Sequence, residues 1–137
     1  MDLEFIVVLV NLGLVMLGWI AQIVIYPGLL YYSEENLKKW HGPYASRITL
    51  FAFPLMTSQL GLHAFSAYKV PGILSFMVLT LVICSWLTTF RQAVPLHSEI
   101  GKSSDSTELR KKLIRVNWIR TVIWTIIFII SIIVYGK

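Results

Sequence analysis

The stretch TVIWTIIFIISIIVYG, residues 121–136, is the last apolar run of the chain and decides how its helices sit in a membrane. Its 16 uncharged residues make about 24 Å of α-helix, whereas the hydrocarbon layer of a bilayer is roughly 30 Å thick and needs about 20 residues. The last helix must therefore begin near Asn117, which places Arg120 at or just below the lipid boundary. There a guanidinium either snorkels to the head groups or finds a partner inside the bundle.

The composition assigns the chain to the membrane class. Hydrophobic residues make up 56% of the 137 and the mean hydropathy is +0.71, which a soluble domain of this size could not hide. Four predominantly apolar stretches predict spans over residues 5–32, 48–68, 70–92 and 116–136. The predicted fold is all-α: a polytopic integral membrane four-helix antiparallel bundle, one domain over residues 1–137, with the lipid bilayer as its first partner.

The charge pattern predicts the orientation of the bundle. Basic residues concentrate in the first and third connections and their flanks: Lys38, Lys39, Arg47, Arg91, Lys102, Arg110, Lys111, Lys112 and Arg115. The opposite side carries only Lys69 and Lys137. The positive-inside rule places both long connections in the cytoplasm and both termini outside, on the periplasmic side in a bacterium. The net charge of +5 is thus a topology signal, and no basic stripe indicates nucleic acid as a partner.

The connections predict how the helices follow one another. The few residues at 68–72 demand a tight turn, so the second and third spans are expected to be antiparallel neighbours. The HGPY segment, residues 41–44, is expected to form a turn, and residues 98–112 a flexible loop. Asp105, Ser106 or Thr107 is expected to cap a helix that continues into the last span.

Polar residues within the spans are expected to face the bundle interior, because lipid offers them no hydrogen-bond partner. Asn11 and Gln22 lie on one stripe of the first span, and Asn117 and Ser131 lie on one face of the last. His63 on the second span is expected to lie at about the same depth in the membrane as Asn11. A buried hydrogen-bonded pair is therefore predicted, in preference to a haem ligand.

The residues with the richest chemistry lie at the predicted cytoplasmic end. The candidate ligand-binding residues are Tyr26, His41, Arg47, Arg91, His97, Asn117, Trp118 and Arg120. Arginines suit an anionic ligand or an enolate-like substrate, and aromatic rings such as Trp124 suit a hydrophobic one. A structural alternative stays open, because Pro27 leaves the carbonyl of Ile23 without its helical partner and that oxygen could accept from Arg120.

A metal ion is a second possibility for the same end. His41, His97 and Glu99 could together hold zinc, iron or copper, although no HxxxH or HxH spacing enforces a shared site. The cofactor is otherwise unknown. The single cysteine, Cys84, excludes redox chemistry that needs a cysteine pair.

Three short segments carry a resemblance to a known group: YPG at residues 26–28, VPLH at 94–97 and NWIRT at 117–121. This pattern resembles the small four-helix membrane proteins grouped with fungal anthrone oxygenases. Those proteins typically show a VPLN-like turn after the third span and an asparagine, arginine and threonine at the start of the fourth. The resemblance implies a polar pocket between the helices and oxidation of a flat aromatic or quinone-like molecule with oxygen. His97 stands where the group usually has asparagine.

A looser similarity is to membrane protoporphyrinogen oxidases of comparable size. In those proteins a tryptophan-bearing first span also runs into a tyrosine or leucine followed by proline. They place a haem-ligating histidine in that span, where this sequence has Asn11. Haem is therefore disfavoured.

Two function classes remain open, and the sequence does not decide whether the protein is an enzyme. In the first, the protein binds or oxidises a hydrophobic ligand in an arginine- and histidine-lined pocket at the cytoplasmic end. In the second, it is a non-catalytic accessory subunit of a larger membrane complex, which its small size favours. Either form could be a homo-oligomer. A transporter is least expected, because four spans without a repeat leave little room for alternating access.

Overall fold

Four long helices make up almost all of the chain in the computed structural model, which describes residues 2–135. They are α1 Leu3–Leu29, α2 Glu34–Lys69, α3 Ile73–Lys102 and α4 Thr107–Tyr135, and each is long and apolar enough to cross a bilayer. Links over residues 30–33, 70–72 and 103–106 join them. The predicted four-helix membrane bundle is therefore confirmed. Gly136, the predicted end of the last span, and Lys137, used to predict the orientation, lie outside the described residues.

α2, α3 and α4 are longer than the predicted spans, α1 ends three residues before its predicted end at residue 32, and two predicted irregular segments are helical. α2 continues through HGPY, so the prediction of a turn there is wrong. Leu37, His41 and Tyr44 are buried at a spacing of four and three residues, and this packed face outweighs the hydrogen bond that Pro43 removes. Most of the predicted loop at residues 98–112 is likewise helical, and only residues 103–106 are not.

The start of α4 follows the predicted capping pattern. The backbone N–H of Thr107 donates to Oδ1 of Asp105 at 3.1 Å, and this bond lowers the pKa of the Asp105 carboxyl. The N–H of Arg110 donates to the carbonyl of Ser106 at 2.9 Å, which begins the helical ladder. From there α4 runs unbroken into its apolar half, as the sequence predicted.

Proline shapes α1 and α3 in the same way. A π-helical turn at Ala21–Ile25 precedes Pro27, and another at Thr89–Ala93 precedes Pro95. In both cases the residue after the segment donates its N–H to the carbonyl five residues back. A wider turn makes room for the proline ring, so each helix continues without ending at its proline.

Two apolar layers fill the bundle. The layer near the first and third links consists of Ala21, Tyr26, Leu29, Leu37, Tyr44, Ala93, Leu96, Ile100, Leu113 and Val116. The other layer consists of Leu14, Val15, Met56, Val78, Val82, Trp124 and Ile127. Most outward side chains are apolar as well, which is compatible with contact with a lipid bilayer.

Arg110 ties the first and third links together. Its Nη1 donates to the carbonyls of Leu29 and Tyr32, each at 3.0 Å. Its Nε donates to Oγ of Ser106 at 2.9 Å, and its Nη2 forms an ion pair with Glu34. Ser106 also donates to the Glu34 carboxylate. We call Arg110, Glu34 and Ser106 the Arg110 clasp; it holds the first and third links at one end of the bundle.

α1 and α4 approach closely at Gly18, which gives a first prediction. A Cβ on Gly18 would lie 3.1 Å from the Trp124 ring and 3.3 Å from Oγ1 of Thr121. We expect Gly18→Ala to cost about 1 kcal/mol of stability, since both neighbours are buried and packed. The measurement is thermal unfolding in detergent, followed by circular dichroism.

The matched control is Gly28→Ala on the same helix, where an added Cβ meets nothing within 4 Å. Alanine favours helix by about 1 kcal/mol over glycine, so this variant should unfold at the wild-type temperature or above. Equal losses of stability in the two variants would contradict the close packing at Gly18.

Candidate ligand-binding site

A cavity of about 220 Å³ lies where the two apolar layers meet. It is larger than the roughly 150 Å³ cavity that accepts benzene in an engineered core. All four helices contribute to its wall. The space exists because small side chains line it: Gly18, Ala21, Ala45, Ala52 and Ala93.

Arg120 forms the charged part of the cavity wall. The residue is only 8% exposed, so of the two positions that the sequence left open for its guanidinium, the structure shows the one inside the bundle. Its Cζ lies 4.7 Å from the centroid of the Trp124 ring, a cation–π distance. Its Nε is buried without a hydrogen-bond partner among the described residues. The carbonyl of Ile23, which Pro27 was expected to free for this side chain, is not its acceptor within residues 2–135.

Tyr26, His97 and His41 form a hydrogen-bonded chain at the edge of the cavity. The Tyr26 hydroxyl lies 3.2 Å from Nε2 of His97, and Nδ1 of His97 lies 3.0 Å from Nε2 of His41. The two imidazoles stack with their centroids 5.0 Å apart. Tyr44 adds a buried hydroxyl without a partner among the described residues. The site therefore presents several neutral polar groups beside one cation.

Asn117 fixes the distance between α1 and α4 at the cavity. Its Nδ2 lies 3.0 Å from Oε1 of Gln22 and 3.3 Å from the carbonyl of Gly18. The Thr121 hydroxyl donates to the same carbonyl at 3.2 Å. The amide is thus occupied by these neighbours, and Asn117 positions the wall that carries Arg120.

The structure brings five of the eight candidate residues to the cavity or beside it: Tyr26, His41, His97, Asn117 and Arg120. The other three lie elsewhere. Trp118 is 44% exposed and packs edge-on against Trp19. It lies two residues before Arg120, which puts it on the opposite face of the helix. Arg91 is exposed, and Arg47 lies over the Trp40 ring at 5.7 Å.

The structure does not assemble the predicted metal triad. His41 and His97 are adjacent, but their facing nitrogens bond to each other. Glu99 is exposed, two residues beyond His97 and on another side of α3. Among residues 2–135, no three His, Cys, Asp or Glu side chains are placed to hold a metal ion.

Sequence reasoning left Tyr44 out of the predicted site, and it missed the Arg110 clasp. The spacing of Leu37, His41 and Tyr44 would have indicated one helical face, had the helix been continued through Pro43. Nothing distinguished Arg110 from the lysines that follow it, because its role depends on backbone carbonyls of another helix.

A separate polar cluster lies in the other half of the bundle. Nδ2 of Asn11 lies 3.1 Å from Nε2 of His63, and Oδ1 of Asn11 accepts from Gln59 at 2.8 Å. Asn11 also contacts the hydroxyl of Ser131. The predicted buried pair of Asn11 and His63 is therefore confirmed.

The mouth of the cavity faces sideways, between α2 and α3. Thr49 and Phe53 of α2 and Phe90 and Val94 of α3 belong to the wall and are also exposed. α2 packs against α3 on both sides of Thr89–Ala93 but has few close approaches to that π-helical turn. A molecule dissolved in the bilayer could therefore reach the cavity without passing through water.

The fold and the site define the class: a four-helix integral membrane protein whose internal cavity is lined by the buried cation of Arg120 and has a lateral mouth. No family model matches the chain, and no curated protein or solved structure is significantly similar to it.

Proposed function

We propose that the protein binds the head of a flat hydrophobic molecule, an aromatic or quinone-like ligand, which enters from the bilayer between α2 and α3. The observation that carries this proposal is the buried guanidinium of Arg120, which lines the cavity with its Nε unpaired. A buried donor without an acceptor is costly, and more so when it is charged. A ligand oxygen would supply the missing acceptor.

The rest of the wall suits the ring of such a ligand. Phe53, Met56, Phe90 and Trp124 provide apolar and aromatic surface. Pockets of this kind, mostly apolar with a few convergent polar groups, are typical binding sites for small hydrophobic molecules. The cavity would take the ring, and an attached alkyl chain would extend through the mouth into lipid.

The resemblance to the anthrone-oxygenase-like group extends this proposal to oxidation. VPLH lies on α3 and NWIRT on α4, and His97 and Arg120 from these segments line one cavity. Converting the ring CH₂ of an anthrone to a carbonyl consumes one O₂ and releases one water. Oxygen uptake with anthrone tests this step: one O₂ per quinone formed supports it, and no uptake above the protein-free rate contradicts it.

Binding is tested by tryptophan fluorescence, because Trp124 lies in the wall. We expect a short-chain ubiquinone analogue to quench the purified protein saturably in detergent. Arg120→Met should weaken the affinity about tenfold or more, corresponding to about 1.4 kcal/mol. Arg120→Lys, which keeps a cationic donor, should lose less of the affinity for the analogue.

The matched control is Arg115→Met, because Arg115 lies on the same helix and is exposed. This variant should bind the analogue with wild-type affinity. Equal affinities in Arg115→Met and Arg120→Met, with both proteins folded, would contradict the proposed site.

The lateral mouth gives a separate prediction. Thr49→Phe should slow association of the quinone analogue several-fold, because the larger side chain would cover the mouth. Thr57→Phe is the control, since both threonines are exposed on α2 and each hydroxyl bonds the carbonyl four residues back at 2.8 Å. The measurement is stopped-flow quenching. Identical association rates in the two variants would show that the ligand enters by another route.

We also propose that the Arg110 clasp lies on the cytoplasmic side. The basic residues on the links and helix ends around it support this orientation by the positive-inside rule. Fusions to the C-terminus test it: alkaline phosphatase should be active and green fluorescent protein dark. The reverse pattern, with inactive phosphatase and fluorescent protein, would show that the topology is the opposite of the proposed one.

Purification of the protein in mild detergent tests the other function class, an accessory subunit. Larger subunits that copurify stoichiometrically in mild detergent would favour it over a ligand-binding protein that acts alone. A monodisperse species of one chain, or of copies of it, that binds the quinone analogue would favour the pocket.

A further inference from the structure

We infer that the cavity takes its ligand as an anion: a hydrophobic ring compound with an ionised oxygen, a phenolate or an enolate, paired with Arg120. This inference rests on the proposed function and narrows it. The proposed function requires only an acceptor oxygen, whereas this inference requires a negative charge on it.

The first observation is that no carboxylate of the described chain compensates Arg120. The seven acidic residues are Asp2, Glu4, Glu34, Glu35, Glu99, Asp105 and Glu108. None of them lines the cavity, and all lie near helix ends. The ion pairs within residues 2–135 involve Lys39, Arg110 and Lys111 but not Arg120.

The second observation is how the charge is surrounded. The groups that share the cavity region with it are Tyr26 from α1, Tyr44 and His41 from α2, and His97 from α3. A tyrosine hydroxyl and a neutral imidazole carry no charge, and each can donate a hydrogen bond. A cation among neutral donors in a low-dielectric setting is stabilised most by an anion.

The third observation is that three donors in the wall have no partner among the described residues. These are the hydroxyl of Tyr44 on α2 and, on α4, Nε of Arg120 and Nε1 of Trp124. An ionised oxygen accepts several hydrogen bonds at once and makes each of them stronger than a neutral carbonyl would. A neutral quinone would satisfy the donors but leave the charge of Arg120 uncompensated.

The test uses two probes of nearly equal shape. One is a 2-hydroxy-3-alkyl-1,4-naphthoquinone, which changes colour when its hydroxyl ionises. The other is its 2-methoxy ether, which has no ionisable proton. Both are titrated into the wild-type protein in detergent, at a pH below the pKa of the hydroxyl probe in empty micelles.

We expect the bound hydroxyl probe to show the spectrum of its anion. Its pKa should fall by about one unit or more on binding, which corresponds to a tenfold preference for the ionised form. The methoxy ether should bind about tenfold more weakly. Arg120→Met should abolish the preference, whereas Arg120→Lys and Arg115→Met should keep it.

The outcomes separate this inference from the proposed function. Equal binding of both probes, with the hydroxyl probe still neutral, would contradict the inference that the ligand binds as an anion. It would leave the proposed binding site supported. Failure of both probes to bind would overturn the proposed function and this inference with it. The comparison of the two probes within the wild-type protein needs no variant, so a folding defect in Arg120→Met cannot obscure it.

Discussion

Arg110→Met should be among the most destabilising single substitutions in the chain, lowering stability by about 3 kcal/mol. The substitution removes the donors that bind two backbone carbonyls, Ser106 and Glu34. Hydrogen bonds from charged groups contribute about 1.5–3 kcal/mol each, and the partners left behind add a desolvation cost. Water reaching the partly exposed Glu34 recovers a share of that loss. The measurement is the midpoint of thermal or denaturant unfolding in detergent.

The control for the clasp is Lys112→Met, two residues along the same helix. Lys112 is exposed and makes no hydrogen bond or ion pair in the described structure, so its loss should change stability by less than about 0.5 kcal/mol. A double-mutant cycle with Glu34→Gln should show coupling to Arg110 and none to Lys112. Additive effects of Arg110→Met and Glu34→Gln would refute the clasp.

Asn11→Leu should have the second large effect, a loss of about 2–3 kcal/mol. One buried amide joins three helices, because it contacts His63 and Gln59 of α2 and Ser131 of α4. Single hydrogen bonds between membrane helices are modest, at about 0.6 kcal/mol on average. The larger expected value comes from leaving several buried polar partners unpaired at once.

Thr80→Val provides the comparison for Asn11→Leu. Thr80 is exposed, and its hydroxyl bonds only the carbonyl of Phe76 on its own helix at 2.8 Å. We expect its stability to stay within about 0.5 kcal/mol of wild type. If Asn11→Leu were no more destabilising than this variant, the Asn11 cluster would not hold the three helices together.

The two halves of the bundle use buried polar groups differently. In the half around Asn11, the side chains of Asn11, His63 and Ser131 pair with one another, and one neutral acceptor, Oε1 of Gln59, has no partner among the described residues. In the half around the cavity, Arg120, Tyr44 and Trp124 each keep an unpaired donor, and the donor of Arg120 is charged. Natural cores rarely leave such groups unsatisfied, and each exception calls for an explanation, of which a functional role is one. This contrast is why the cavity, and not the Asn11 cluster, carries the functional proposal.

Much of the site could be predicted before the structure, because periodicity and span length constrain a membrane helix strongly. The short last span indicated that Arg120 lies within the bundle, and helical spacing placed Asn11 and Asn117 inside. Trp118 was predicted to share the pocket with Arg120, although residues two apart face different sides of a helix, and the structure places it outside the cavity. The grouping of arginines at one end concealed that only one of those expected in the pocket points inward.

The sequence by itself determined the number of membrane helices, their order and the inward faces of the first and last, because lipid tolerates few alternatives to a helix with its polar side chains turned inward. Only the tertiary structure decided that α2 and α3 continue through their prolines, that His97 meets His41 and Tyr26, and that a cavity opens beside Arg120. These features depend on how side chains from different helices pack together. Local propensity and periodicity contain no such information.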